Sequence, residues 1–284
     1  MEKICIVTDS TNVLPASMLE SYPIKIVSLN VLEGDTTYKE TEVDNDFVFD
    51  KFDNKIILTT SQPSPSEFLD AYNEAFTEKY DKVLVLPLSQ GISGTYQSAI
   101  LAKNMLDEPD NVYVFDTLLA AYGNELMMLE LCRLLDEKMA FDKIVERMNT
   151  ITKKTTLVFT VESLFHLQKG GRLSKAQALI GTVLRVKPMI KMTEGKLKLF
   201  NKERTLKKLY EFTINLLKED PNYAPDKTLH VRLIERNSKE NMETLKKHIE
   251  DNFEHVDMTV QDMLSPVFSI HIGPKGFGIV WYFD

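Results

Sequence analysis

A chain of 284 residues exceeds what one hydrophobic core usually serves, so two α/β-sized domains or one large one are expected. With 43% apolar and 27% charged residues and no biased tract, the composition excludes disordered, collagen-like and solenoid classes. Forty-two acidic against 34 basic side chains, a net charge of -8, leave no overall positive field of the kind non-specific nucleic-acid binding needs.

The first element in chain order is Lys3 to Thr8, a β-branched apolar run that reads as a buried strand emptying into the polar Asp9-Ser10-Thr11. It follows Met1-Glu2-Lys3 without the separate charged and apolar regions of a secretory signal. Lys25 to Leu32 reads as a second strand. Ser64-Pro65-Ser66-Glu67 forms a capping box, and apolar residues at Phe68, Leu69, Tyr72 and Phe76 predict a helix from about Pro65 to Lys79. Val83 to Leu86 is the next buried strand, followed by the turn Ser89-Gln90-Gly91-Ile92-Ser93-Gly94-Thr95 and a helix through Leu106. Asn111 to Phe115 is a strand, and Ala120 to Glu137 and Phe141 to Lys153 are helices. Up to here the alternation is that of a mainly parallel sheet flanked by helices.

The second half alternates less regularly. Thr156 to Thr160 reads as a strand and Glu162 to Lys169 as a short helix stopped by Gly170-Gly171. Val186 to Met192 and Lys196 to Phe200 form a hairpin across Thr193-Glu194-Gly195. Arg204 to Glu219 is helical; Thr228 to Glu235, Lys239 to Asn252 and His255 to Gln261 read as strand, helix, strand; Gly276 to Phe283 closes the chain as a strand. The expected architecture is two α/β domains, residues 1–155 and 156–284, the second with a mixed sheet and helices. Cys5 and Cys132 form no disulfide or zinc pattern, and apolar runs such as Val83 to Leu88 fall far short of the roughly 20 residues that cross a bilayer. A reducing, cytoplasmic compartment is expected.

Several stretches carry candidate chemistry. The turn Ser89 to Thr95 places hydroxyls and backbone amides where a helix begins, an arrangement that attracts anions, or else it is a tight βα turn with Ser93 capping the helix. Thr59-Thr60-Ser61-Gln62-Pro63 offers three hydroxyls before the capped helix, either as a second arm of the same anion site or as an ST-turn. Gly170-Gly171-Arg172 brings an arginine fork past two glycines, towards an anion or into solvent. His271, alternating with apolar neighbours in Ser269 to Pro274, is either structural or the histidine best placed for chemistry. Nine basic residues between Arg185 and Lys208 face only Glu194 and Glu203, as a solvated face or a docking surface for an acidic partner or anionic lipid headgroups. The signatures G-x-x-x-x-G-K-[ST], G-x-G-x-x-G after the first strand, H-E-x-x-H and C-x-x-C are absent. Ser93 has its following glycine one residue away, where a nucleophile elbow needs it two away.

Taken in order, Val7-Thr8-Asp9-Ser10-Thr11, Thr60-Ser61-Gln62-Pro63, Leu88 to Tyr96, Val114-Phe115-Asp116-Thr117, Lys169-Gly170-Gly171-Arg172-Leu173 and Ile270-His271-Ile272-Gly273-Pro274 resemble the DegV family of bacterial fatty-acid-binding proteins over nearly the whole chain. The resemblance implies one long-chain fatty acid as ligand and no other cofactor or metal, with the tail inside the protein and the carboxylate at the domain junction. It implies Thr60 and Ser93 as the hydroxyls that hold the carboxylate, with the backbone at Gly94 in the anion site. Arg172 and His271 are implied near the headgroup, where they meet a phosphate after activation. It further implies a non-catalytic carrier subunit that presents the acid to a separate ATP-binding fatty acid kinase subunit, which makes an acyl phosphate for phospholipid synthesis, with transient membrane contact. Lys275 departs from the small residue expected after Gly273-Pro274. Two other readings stand beside it: a serine hydrolase or acyltransferase on fatty esters with Ser93 as nucleophile and His271 as base, and a regulatory sensor acting through the basic stretch.

Overall fold

The computed structural model describes residues 2–175, 186–261 and 264–284; Arg185 of the basic stretch lies outside the described residues. Contacts gather the chain into two units, Met1–Thr152 with Ser265–Ile270, and Lys153–Leu264 with His271–Asp284. The first unit contains β1 (Ile4–Asp9), α1 (Ala16–Ser21), β2 (Ile24–Val27), β3 (Asn30–Glu33), β4 (Thr36–Lys39), α2 (Asn45–Asp53), β5 (Leu58–Ser61), α3 (Pro65–Thr77), β6 (Lys82–Leu86), α4 (Thr95–Lys103), β7 (Val112–Val114) and α5 (Tyr122–Asp136). Most of α6 (Phe141–Lys154) belongs to it as well.

β2, β1, β6 and β7 pair in that order, all parallel, with Cys5 opposite Val83 and Val7 opposite Val85. β1 and β6 are near-continuous apolar runs because a parallel sheet is covered on both faces. On one face Cys5, Val7, Val83, Val85 and Val112 pack with Phe68, Tyr72 and Ala75 of α3 and Ala99 and Ala102 of α4. α3 begins as its sequence predicts: the Ser64 N–H donates to the Glu67 carboxylate at 2.8 Å, and its apolar stripe recurs at helical spacing from Phe68 to Ala75. A separate antiparallel sheet, β4-β3-β5, packs Val31 and Leu58 with Val48 of α2 and with Val267 and Ile270.

The second unit contains β8 (Thr156–Val161), α7 (Phe165–Lys169), β9 (Lys187–Thr193), β10 (Lys196–Glu203), α8 (Leu206–Lys218), β11 (Leu229–Arg236), α9 (Lys239–Glu250), β12 (Val256–Gln261) and β13 (Gly276–Phe283). The helix α10 (Pro266–Ile272) starts in the first unit and its last two residues belong to the second. The sheet order is β10-β9-β8-β13-β11-β12; among the described residues β11 and β12 pair in parallel and the other neighbours pair antiparallel. Glu194 (φ 50°) and Gly195 (φ 74°) turn the β9–β10 hairpin, the left-handed pair that a tight two-residue turn requires. β13 is buried along its whole length, and the Trp281 indole N–H donates to Asp220 at 2.9 Å.

Three local expectations change. Lys25 to Leu32, one strand by its apolar run, forms two, because the backbone at Leu29 leaves the ladder: its N–H donates to the Ser10 hydroxyl at 2.9 Å and its carbonyl accepts from Glu40 N–H at 2.8 Å. Thr59 to Ser61 are not a loop of the parallel sheet but lie in β5, paired antiparallel with β3. His271 sits in the last turn of α10 instead of in an alternating extended segment. Among the described residues, no helix is long and apolar enough to cross a membrane.

Phe68 has no exposed surface at the α3–sheet contact. Phe68→Ala is expected to cost about 3–5 kcal/mol, read as a fall in the urea midpoint with an unchanged slope.

Candidate functional site

In the parallel sheet the chain steps from β1 outward to β2, then returns to β6 on the other side of β1. Ligands of open parallel sheets bind beyond the C-terminal strand ends at such a reversal. From these ends emerge Ser10–Asn12 and the turn from Pro87 to Gly94. The turn is braced on both sides: Ser89, fully buried, donates its N–H to Leu119 O at 2.9 Å, and the Gln90 side chain donates to Asp116 at 2.7 Å. Ser93 is half-buried; its N–H donates to Ser89 O at 3.2 Å, and its hydroxyl lies 2.9 Å from that of Thr95 and accepts the Thr95 N–H at 3.3 Å. The hydroxyl therefore stands at the N-terminus of α4, beside backbone donors that no helical carbonyl takes up.

Thr60 is half-buried in β5, opposite Val31. Two residues on, the Gln62 side chain lies on Gly94: a Cβ built there would come within 2.7 Å of Gln62 Nε2. Gly94 has an ordinary φ of -76°, so glycine is needed for close approach, not for backbone freedom. The segment that carries Thr60 and the turn that carries Ser93 meet at this contact. Gln62 is the residue the sequence reading passes over, although it lies inside the Thr60 to Pro63 motif. The loop after β7 is strained at Leu118 (φ 52°) and at Ala121 (φ 49°, ψ -129°), conformations costing on the order of 1–3 kcal/mol each and characteristic of functional loops.

In the second unit, Arg172 is half-buried and donates to Gly170 O at 2.5 Å. His271 is 8% exposed, its ring laid on the same glycine; a Cβ at Gly170 would stand 2.2 Å from Nδ1. Gly273, at φ 85°, receives the ring of His166 in the same way, at 2.7 Å from Cδ2. His166 was not singled out by the sequence, since a histidine in a five-residue helix has no distinguishing pattern. Burial, then the charges of Arg172 and His166, push His271 down to about 3. It is a neutral imidazole at physiological pH, so Arg172 supplies the fixed charge of this cluster and His271 offers only neutral hydrogen bonding. Burial also lowers the Arg172 guanidinium from its ordinary value. His230, by contrast, stacks on Tyr282 at 4.7 Å and pairs with Asp257 at 2.9 Å, a structural role.

The hydrolase reading loses support at both residues. Ser93 is paired with a threonine hydroxyl and is absent from the left-handed backbone positions, unlike a strained nucleophile elbow. An imidazole at about 3 is a poor general base near neutrality.

The sign for stability follows from His271: its folded pKa lies below the ordinary 6.5, so the unfolded chain binds the extra proton and stability falls as pH drops from 6.5 towards 3. In His271→Asn that contribution to the acid slope disappears, as denaturant titrations at stepped pH will show. Gly170→Ala forces a buried ring to move and is expected to cost about 1–3 kcal/mol.

Residues 3–284 match the profile of a family described as an uncharacterised protein, DegV family. A DegV domain-containing protein of Listeria innocua is 32% identical over 99% of this chain and 98% of its own length. Among solved structures, a DegV family protein from Thermus thermophilus, described by its fatty acid binding, superposes with a TM-score of 0.87 at 29% identity, covering 99% of both chains. DegV of Bacillus subtilis, described as a fatty acid binding protein, gives 0.85 at 31% identity over 100% of both chains.

Proposed function

The chain belongs to the DegV family, and on that premise we propose that it is a carrier which buries the tail of one long-chain fatty acid and holds its carboxylate at the Ser93 turn. The observation that carries the reading is the seating of Gln62 on Gly94, which joins the Thr60 strand to the N-terminus of α4 at the reversal of the parallel sheet. Burying about 16 carbons at about 0.8 kcal/mol per methylene is worth on the order of 12 kcal/mol before ordering costs, so the tail is enclosed and only the acid is offered. A carboxylate taken out of water protonates unless donors meet it. The hydroxyls of Thr60 and Ser93 and the amides from Gly94 onward keep it ionised, hence nucleophilic.

The resemblance to the family adds Arg172, a fixed positive charge, as a partner for the negative charge that grows when the acid is phosphorylated. His271 assists as a neutral donor. The phosphoryl donor is ATP on a separate kinase subunit in the cytoplasm, because transfer is chiefly positioning and charge neutralisation and this chain carries no phosphate-binding loop motif. The basic residues from Lys187 to Lys208, on β9 and β10 and around the start of α8, offer that partner or an anionic membrane surface positive charge.

Native mass spectrometry of protein purified from cells is expected to show one long-chain acid per chain. Ser93→Ala, folded by circular dichroism, is expected to bind a long-chain acid roughly tenfold more weakly, the worth of one hydrogen bond to a charged group. Protein that comes out empty, and that no long-chain acid stabilises against heat, removes the proposal.

A further inference from the structure

Asp9 ends β1 with none of its surface exposed. Its Oδ2 accepts the Leu88 N–H at 2.6 Å; its Oδ1 accepts the Thr11 N–H at 3.0 Å and the Thr11 hydroxyl. Leu88 is the residue from which the turn to Ser93 departs, so this carboxylate holds the turn at its root. Ser10, the next residue, donates to Glu40, itself 2% exposed, and Glu40 accepts the Val267 N–H at 2.8 Å.

A buried carboxylate satisfied only by neutral donors is a costly choice for a purely structural joint. Among the described residues the one charge acting on Asp9 is Glu40, of like sign. We propose that Asp9 is a positioning residue of the headgroup site: through Leu88 its carboxylate sets the Ser89 to Gly94 turn so that the Ser93 hydroxyl and the first amides of α4 face the ligand's acid. The proposal rests on the fatty-acid reading above and assigns the site a further residue and a pH response.

The response follows from geometry. A proton on Oδ2 sets a donor against the Leu88 N–H; a proton on Oδ1 is taken by the Thr11 hydroxyl turned to accept, and Oδ2 then holds Leu88 as a neutral carbonyl instead of a carboxylate, so the hold on the turn weakens either way. Burial holds the carboxyl up at about 6, against 3.8 for an ordinary aspartate. With the folded value raised, the protein gains stability as pH falls from about 6 towards 3.8, while the same protonation weakens the grip on the acid. A joint that is ionised at neutral pH at the expense of stability, beside a binding turn, is the pattern of a functional group and not of a packing one.

Asp9→Asn mimics the protonated carboxyl. With a fluorescent long-chain acid at pH 7.5, it is expected to bind about tenfold more weakly than the native chain, and the Asp9→Asn/Ser93→Ala pair no more weakly than Ser93→Ala alone, because one residue acts through the other. Between pH 7.5 and 5.5 the native chain loses affinity beyond the ligand's own titration, which both proteins share, and Asp9→Asn does not. Thr11→Val, which removes one donor from the carboxylate, moves that midpoint upward and serves if Asp9→Asn fails to fold. Native affinity in Asp9→Asn, additive losses in the pair, or an unmoved midpoint in Thr11→Val overturns the proposal. A native chain that binds no long-chain acid removes the fatty-acid reading instead. The positioning claim is then read without ligand: amide shifts of Ser89 to Gly94 titrate near pH 6 in the native chain and stay flat in Asp9→Asn, and flat native shifts refute it.

Discussion

Polar backbone groups at the C-terminal ends of β1 and β6 lie out of water, and the way they are satisfied shapes the candidate site. Leaving one of them unpaired costs about 1–3 kcal/mol, so each needs a partner at short range. Thr8 donates its hydroxyl to Leu86 O at 2.7 Å and accepts from the Asn12 amide at 2.6 Å; Asp9 takes the Leu88 N–H. These side chains close the strand ends against each other and fix where the following turn begins. Where the sheet must be sealed by polar side chains, an anion can be held a few residues further on.

Steric closeness plays the corresponding part elsewhere. Gly94 admits Gln62, Gly170 admits His271 and Gly273 admits His166, each at a distance no Cβ would tolerate. In the second unit this packing makes His271 neutral: the ring offers hydrogen bonding, and Arg172 is left to carry charge. The N-terminal part of α10 is fastened by Glu40 at Val267 and by Asn45 at Ser269.

Much of the fold was legible because its signals are local. β1 and β6 announce themselves as unbroken apolar runs, α3 by its capping box and helical stripe, the β9–β10 hairpin by Glu194-Gly195. The failures share one cause. Lys25 to Leu32 looks like a single strand until Ser10 and Glu40 take the polar groups of Leu29. Thr59 to Ser61 look like a loop until β3 offers them an edge, and His271 looks extended until the packing of Val267 and Ile270 selects a helix.

The sequence by itself determined the residue types and their order: hydroxyls before α3 and α4, glycines beside Ser93 and Arg172, an acidic motif ending the first strand, and through them the family. These are properties of short windows, where periodicity and turn chemistry suffice. Tertiary structure alone decided that Gln62 meets Gly94, that Asp9 grips Leu88 across 79 positions, and that Glu40 reaches Val267 across 227. Burial and electrostatic environment are sums over neighbours from many segments, so the ionisation of Asp9 and the neutrality of His271 exist only once the chain has closed on itself.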